Sequence, residues 1–332
     1  MQSEKTKNQT INNRWKKIER YNGIYLPTLK KYPIITKNSK VCLIGSCFAD
    51  DMGWVLAENK IDIGEVNYIP EKKSVGYPWG TFFSPMNIYD LMEIALSQKS
   101  SQFFDDNTFI RVPSTLKGNH FEKTSQLKLS EDFKLINLFF KARINTQDYD
   151  LAKKVIKEKL EFFRKSIINA DVIILTLGLI ETWIDKNKKK AWHCFHGNPI
   201  KKISVDNLAQ FKQLKFDEVS GYLKKILDLL DLKKKKIIFT ISPIPLNFTF
   251  TKKDIVIANK YSKSLLRSAV ENFVDDKKVF YFPSFEIVQD CVGWPNSYEQ
   301  DKRHVRPEIF KNLISPKFIE SFTNFENFKI KQ

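Results

Sequence analysis

The chain has 332 residues and a net charge of +17, and 42% of its residues are hydrophobic and 13% aromatic. This composition excludes a disordered chain, because disordered segments are poor in aromatic residues. The positive charge does not predict a nucleic-acid-binding protein, since Lys is spread along the whole chain and no binding motif accompanies it.

The N-terminal residues 1–21 are polar and basic, and they lack the apolar segment of a signal peptide. Further along, the longest apolar runs, such as residues 172–177, are too short to span a bilayer. The cysteines are widely spaced without a CxxC pair, which predicts neither a zinc site nor a disulfide framework. They are Cys42, Cys47, Cys194 and Cys291. These features predict a cytoplasmic protein without a transmembrane segment.

Short apolar, β-branched runs alternate with helical patterns along the chain. Continuous runs of this length predict strands buried on both faces of a parallel sheet. The predicted strands are residues 41–44, 171–177, 236–241 and 279–282, with one more expected within 61–69. The predicted helices are residues 50–59, 85–97, 148–169, 207–230 and 254–274. The alternation predicts a wound α/β sheet with its ligand site beyond the carboxyl ends of the strands.

Two segments, residues 100–130 and 186–205, do not fit this alternation. Both are long enough to be insertions that border the strand ends, where loops often determine specificity. The sequence has no internal repeat and no Pro- or Ser-rich linker, so it predicts one domain.

Gly45 and Ser46 follow the first strong strand at the point where a helix is predicted. Glycine tolerates the unusual backbone of such a turn, and Ser46 begins a helix whose N–H groups stabilise an anion. This position predicts a nucleophilic hydroxyl beside an oxyanion donor, and an ordinary capping serine is the alternative. Cys47 is a rival nucleophile, because a thiol at a helix N-terminus is reactive, although it also suits a small buried position.

A nucleophilic serine needs a base, and the chain offers His120, His193, His196 and His304. His304 follows Asp301 by three residues, which allows the carboxylate to hold Nδ1–H while Nε2 faces a substrate. A surface pair is the alternative interpretation. His193 and His196 are also three residues apart, but no third ligand is apparent, so we expect loop residues and no metal site there.

Several segments resemble the GSCFA family, and they occur in order along the chain. The string GSCFA at residues 45–49 is the signature after which that family is named. The others are TLGLIETW (176–183), SPIPL (242–246), ANKYSKSLLR (258–267), YFPSFEI (281–287) and DKRHV (301–305). The resemblance implies a catalytic domain over residues 36–310, with extensions at 1–35 and 311–332.

GSCFA proteins are similar to the SGNH (GDSL-like) esterases and acyltransferases. This similarity implies a three-layer αβα sandwich with a flavodoxin-like parallel sheet and loop insertions. It also implies that Ser46 is the nucleophile, His304 the general base and Asp301 the residue that orients His304.

The sequence departs from the SGNH pattern at two places. SGNH proteins have Gly-Asp-Ser where this chain has GSC (45–47), and Gly-x-Asn where it has GLI (178–180). Because that asparagine is missing, the oxyanion donor has to come from elsewhere. The candidates are Cys47 at the helix start, the Gly80 N–H and the Asn87 amide.

Glu181 lies just beyond a predicted strand, near the expected site. Because a carboxylate repels a developing oxyanion, we expect Glu181 to pair with Lys263, Arg303 or a substrate hydroxyl, with a structural ion pair as the alternative. Trp183 and Trp79 are candidates for stacking on a sugar or an acyl carrier, although large aromatic residues are more often packed in the core.

The leading hypothesis is acyl transfer through an acyl-enzyme at Ser46. With water as acceptor the protein is an esterase, and with a sugar hydroxyl it is an O-acyltransferase for a carbohydrate or glycan precursor. No cofactor is required, and acetyl-CoA or another acyl-CoA is a candidate co-substrate. The alternative is a binding module that keeps the fold without catalysis and recognises a carbohydrate or a phosphate-bearing carrier. The sequence does not predict the oligomeric state.

Overall fold

The computed structural model describes residues 19–21, 23–72, 74–97, 100–113, 133–140, 143–144, 146–193 and 208–325. Several predictions fall on residues outside these ranges: those for His120, Cys194 and His196, for residues 1–18, and for parts of both expected insertions.

The strands of the described residues are β1 (Glu19–Tyr21), β2 (Ile24–Leu26), β3 (Val41–Gly45), β4 (Asn67–Ile69), β5 (Ser74–Gly76), β6 (Phe109–Pro113), β7 (Phe133–Asn137), β8 (Arg143–Ile144), β9 (Val172–Leu177), β10 (Glu181–Asp185), β11 (Ala209–Gln213), β12 (Lys236–Ile241) and β13 (Val279–Phe282). The helices are α1 (Cys47–Glu58), α2 (Pro85–Leu96), α3 (Ser100–Phe103), α4 (Tyr149–Asn169), α5 (Phe216–Leu229), α6 (Ile255–Glu271), α7 (Ser284–Glu286), α8 (Pro307–Ile309) and α9 (Ser315–Phe322).

A four-stranded parallel sheet in the order β13-β12-β9-β3 forms the centre of the fold. Gly45 lies opposite Thr176, and Thr176 lies opposite Thr240, so the carboxyl ends of β3, β9 and β12 meet at one edge. Every residue of β3 and β9 is buried, as expected for strands covered on both faces. Helices lie on both sides of the sheet, which is compatible with the predicted three-layer arrangement.

Smaller antiparallel sheets surround this centre. β1 pairs with β2, β4 with β5, β10 with β11, and β7 with both β6 and β8. None of the helices in the described ranges combines the length and the apolar character that crossing a membrane requires.

Two predicted elements are wrong in part. The strand expected within 61–69 is only the short β4, which pairs with β5 rather than with the central sheet. The helix expected over 207–230 begins at Phe216, because residues 209–213 form β11 against β10. The Lys215 N–H donates to the Glu218 carboxylate at 2.9 Å, and this contact marks the true helix start.

The C-terminal segment packs into the same core as the sheet. The ring centroids of Phe282 on β13 and Phe318 on α9 lie 5.1 Å apart, and those of Phe318 and Phe322 lie 5.2 Å apart. The Tyr32 N–H also donates to Ser321 O at 2.6 Å. The residues beyond 310 therefore share a core with the central sheet.

Candidate active site

Gly45 closes β3 where the chain turns into α1. Its φ is +149°, and a Cβ built on it would lie 2.2 Å from the Thr176 carbonyl oxygen. A side chain at this position would therefore collide with the backbone of β9. The glycine allows the chain to pass against β9, and the next N–H, that of Ser46, donates to Thr176 O at 3.3 Å.

Ser46 is the N-cap of α1 and is 2% exposed. Its Oγ accepts a hydrogen bond from the Phe48 N–H at 3.3 Å, and the hydroxyl keeps its own hydrogen for donation. The N-terminal end of a helix carries partial positive charge, so negative charge that develops beside Ser46 is favoured. The structure thus gives Ser46 the capping role, and its chemical role stays a prediction.

Lys263 of α6 is 1% exposed and lies at the same edge of the sheet. Its Nζ donates to Gly178 O at 2.6 Å and to Ile244 O at 2.9 Å, just beyond the ends of β9 and β12. Burial lowers the pKa of Lys263 to about 7; the charge of Arg303 lowers it further and that of Cys47 opposes the change. Lys263 therefore lies close to both of these residues.

Arg303 brings a second positive charge to this edge. Its Nε is buried, and within the described residues it meets no hydrogen-bond acceptor. Within the described residues, no ion pair joins Lys263 or Arg303 to a carboxylate. The hydroxyls of Thr176 and Ser242 are buried there and have no hydrogen-bond partner. Buried polar groups normally have partners, so this cluster has the character of a site for an anion or a polar ligand.

Asp301 and His304 form the predicted pair. His304 Nδ1 is hydrogen-bonded to Asp301 Oδ2, and Asp301 Oδ1 accepts from the Arg303 and His304 N–H groups at 2.9 and 3.0 Å. Partial burial would raise the pKa of Asp301, but these hydrogen bonds outweigh it and hold the pKa below its usual value. The two side chains are 43% and 53% exposed. The turn therefore holds the histidine in a fixed orientation at the surface.

No hydrogen bond joins Ser46 to His304 in the described structure. Ser46 Oγ is engaged by the Phe48 N–H, and the His304 ring is engaged by Asp301. The His304 segment nevertheless lies beside α1, since the Phe310 and Phe48 rings meet edge to face at 5.6 Å. Catalytic hydrogen bonds often tighten only when substrate binds.

The same turn brings three possible metal ligands together. One ligand atom each from Glu299, Asp301 and His304 lies within 4.8 Å of the others, and all three residues are exposed. The internal hydrogen bonds of the turn explain this cluster without an ion.

The three candidate oxyanion donors lie in different settings. Cys47 is the first residue of α1 and lies beside the Lys263 charge. The Gly80 N–H donates to Tyr77 O at 2.9 Å, and the Asn87 amide donates to Trp192 O at 3.1 Å. Among the three, the structure brings Cys47 together with Ser46 and the two cations.

Glu181 is buried, with 8% of its surface exposed. Its carboxylate accepts from Thr249 Oγ1 at 2.6 Å and from the Phe250 N–H at 2.9 Å. The pairing with Lys263 or Arg303 expected from the sequence is not formed in the described residues.

The two tryptophans have different positions. Trp79 is 1% exposed and stacks on Tyr77 with ring centroids 4.8 Å apart, so it is a core residue. Trp183 lines a pocket with Glu181, beside Phe250 at a centroid distance of 5.2 Å. His193, expected in a loop, is 2% exposed, and its ring contacts Thr81 O.

Sequence reasoning missed two groups of residues near the site. Phe83, Phe248 and Phe250 line the pocket, and the aromatic string NFTF at 247–250 was the available signal. The other is Asp51, one helical turn beyond Cys47. Burial raises its pKa to about 7, the Glu299 charge adds to this rise and a Ser74 hydrogen bond opposes it.

Comparison with known proteins supports the resemblance seen in the sequence motifs. The model of the GSCFA family matches residues 40–318. No curated protein and no solved structure matches the chain significantly.

Proposed function

The chain belongs to the GSCFA family, and from this premise we propose that Ser46 is the nucleophile of an acyl-transfer or ester-hydrolysis reaction on an SGNH-like, flavodoxin-like fold. One observation carries the proposal. Ser46 caps a helix at the strand ends, and beside that helix start lie two cations, Lys263 and Arg303, which have no carboxylate partner in the described residues. This arrangement favours a reaction in which negative charge develops.

In the proposed reaction, Ser46 Oγ attacks an acyl carbonyl carbon and the carbonyl oxygen becomes negative. The N-terminal end of α1 and the two cations stabilise that oxygen. His304, oriented by Asp301, takes the serine proton and passes it to the leaving group. The same base then activates the acceptor, which is water in an esterase and a sugar hydroxyl in an O-acyltransferase. An acyl-CoA is a suitable donor, and no cofactor takes part.

Two variants of adjacent residues test the nucleophile. We expect a fluorophosphonate probe to label the wild-type protein and the Cys47→Ala variant, but not Ser46→Ala. Intact mass spectrometry with an activated acetyl ester should show an acetyl adduct on the wild-type protein and on Cys47→Ala, but not on Ser46→Ala. An acetyl adduct that survives in Ser46→Ala and disappears in Cys47→Ala would transfer the nucleophile role to the thiol.

A binding module is the second candidate, and one observation favours it. Ser46 is 2% exposed and has no hydrogen bond to His304 in the described structure. A protein that only binds a carbohydrate or a phosphate-bearing carrier would need no such bond. Absence of any adduct on the wild-type protein, together with ligand binding by it, would support this candidate.

A further inference from the structure

A pocket lies beside the strand ends and is distinct from the Ser46 cluster. It is an open cleft, and its empty space, together with the solvent in its mouth, is about 430 Å³. Its walls are mainly aromatic and aliphatic, and a small group of polar side chains interrupts them. The apolar walls include Phe83, Leu179, Trp183, Leu246, Phe248 and Phe250.

The pocket contains a carboxylate that is only partly satisfied. Glu181 is 8% exposed and accepts two hydrogen bonds, from Thr249 and Phe250, whereas an ionised carboxylate can accept about four. Within the described ranges, no Lys, Arg or His forms an ion pair with it. A ligand that brings hydrogen-bond donors would satisfy the remaining lone pairs.

The pocket wall also contains an unsatisfied donor. Trp183 is two residues beyond Glu181 on β10, so the two side chains are on the same face of the strand. The Trp183 Nε1–H is buried and, among the residues described, has no acceptor. A ligand oxygen would provide one when the Trp183 ring turns its N–H, which has no solvent contact, toward the pocket.

These groups restrict the chemistry of the ligand. An acyl chain supplies neither donors nor acceptors, and a primary ammonium supplies donors alone. Each hydroxyl of a sugar is both a donor and an acceptor, and the C–H face of the ring packs on aromatic side chains. We propose that this pocket binds a sugar ring, with a hydroxyl on Glu181 and an oxygen accepting from Trp183.

The pocket adjoins the Ser46 edge through its own wall. Phe83 O accepts from the Gly178 and Leu179 N–H groups at 2.8 and 3.1 Å, and Gly178 O accepts from Lys263. The Phe82 N–H donates to Gly45 O at 2.6 Å, immediately before Ser46. If the proposed function holds, the sugar in this pocket is the acyl acceptor; the binding itself does not depend on that function.

Binding is tested with full-length Ser46→Ala protein, so that no turnover occurs. The methyl glycosides of glucose, galactose, mannose and N-acetylglucosamine are titrated by calorimetry, with octanoate and cyclohexylamine as competing ligand types. We expect at least one glycoside to bind in the millimolar range or tighter. Glu181→Gln should weaken that binding about tenfold, because it removes one hydrogen bond and keeps the shape. Trp183→Phe should weaken it at least as much, because it removes the N–H together with part of the aromatic wall.

Trp54→Phe is the matched control. Trp54 also has a buried Nε1 without an acceptor in the described structure, but it lies on α1 and does not line the pocket. It should leave glycoside binding unchanged. Binding of octanoate or cyclohexylamine but of no glycoside overturns the proposal, as does glycoside binding that both pocket variants retain.

Fluorophosphonate labelling of the wild-type protein is measured alongside these titrations. Glycoside binding without labelling keeps the sugar pocket and rejects the acyl-transfer proposal. Labelling without glycoside binding keeps the acyl-transfer proposal and rejects the sugar pocket.

Discussion

Lys263 is buried, and burial of its charged form costs free energy that an apolar residue at this position would not. Its tetrahedral Nζ is bonded to Cε and donates two hydrogen bonds, to Gly178 O and to Ile244 O. The remaining direction carries a third N–H in the charged form and a lone pair in the neutral form. Since its pKa is about 7, both forms are populated near neutral pH. Lys263 can therefore stabilise an anion or exchange a proton beside Cys47.

Arg303 provides a test of charge at the site that is independent of Lys263. We expect Arg303→Met to lower kcat for ester hydrolysis about a hundredfold, the typical loss when one group that stabilises the oxyanion is removed. Lys302→Met is the control, because it removes the same charge from the adjacent exposed residue. Steady-state kinetics and a urea midpoint for each variant separate activity from stability. Equal activity in both variants would remove Arg303 from the proposed mechanism.

At the residue scale, the sequence predicted a contact within one turn but not the contacts between distant segments. The Asp301–His304 hydrogen bond follows from a spacing of three within one turn, so the sequence alone indicated it. The partners of Glu181 could not be predicted in this way. They come from residues 249 and 250, in a segment whose path depends on tertiary packing.

At the element scale, the junction of β3 and α1 decides where the Ser46 hydroxyl lies. The strand ends at Gly45, which pairs with Thr176 of β9. The chain turns at Ser46, and the helix begins at Cys47. Because the Gly45 backbone approaches Thr176 closely, the junction has no room for a side chain. The position of the proposed nucleophile therefore depends on strand pairing.

Gly45→Ala tests this dependence. We expect it to lower the free energy of unfolding by about 4 kcal/mol or more, because the new Cβ meets backbone and the φ of +149° is unfavourable for alanine. Gly221→Ala is the contrasting control. Gly221 is exposed on α5 with nothing within 4 Å of the added Cβ, so alanine should stabilise by about 1 kcal/mol. Urea unfolding followed by circular dichroism measures both, and a wild-type midpoint for Gly45→Ala would contradict the steric account.

The parallel strands were predictable because each is a continuous apolar run buried on both faces. The four runs predicted at 41–44, 171–177, 236–241 and 279–282 correspond to β3, β9, β12 and β13. The antiparallel pairing of β10 with β11 was not predicted, because residues 209–213 carry no strong alternation and join a helical pattern without a break. Their strand conformation comes from pairing with β10.

At the scale of the whole molecule, one apolar core extends from Leu26 to Phe322 and includes residues of β3, β9, β12, β13 and α9. Only a small second cluster, Leu179, Leu246 and Ala258, lies apart from this core in the described residues, and two of its members line the pocket. The core positions were predictable from apolar periodicity. The pocket was not, because its walls come from segments far apart in the sequence.

The whole molecule should also show an unusual dependence of stability on pH, set by the buried Lys263 and the half-buried Asp51, whose charges are opposite. Burial lowers the pKa of Lys263 from 10.5 to about 7, so between these values the unfolded chain binds more protons and stability rises with pH. Burial raises the pKa of Asp51 from 3.8 to about 7, so between these values the native chain binds more protons and stability falls as pH rises. Near pH 7 both groups therefore contribute least to stability.

Replacing each group separately should show these opposite slopes. The stability of Lys263→Met relative to wild type should fall as pH rises above 7, and that of Asp51→Asn should rise as pH increases toward 7. Each slope approaches about 1.4 kcal/mol per pH unit, the energy of one proton per unit. Urea midpoints across this range measure them, with exposed Lys260→Met of the same helix as the control. Parallel pH profiles for Lys263→Met and Lys260→Met would show that Lys263 keeps its proton in the native protein throughout, and that the site holds a permanent cation.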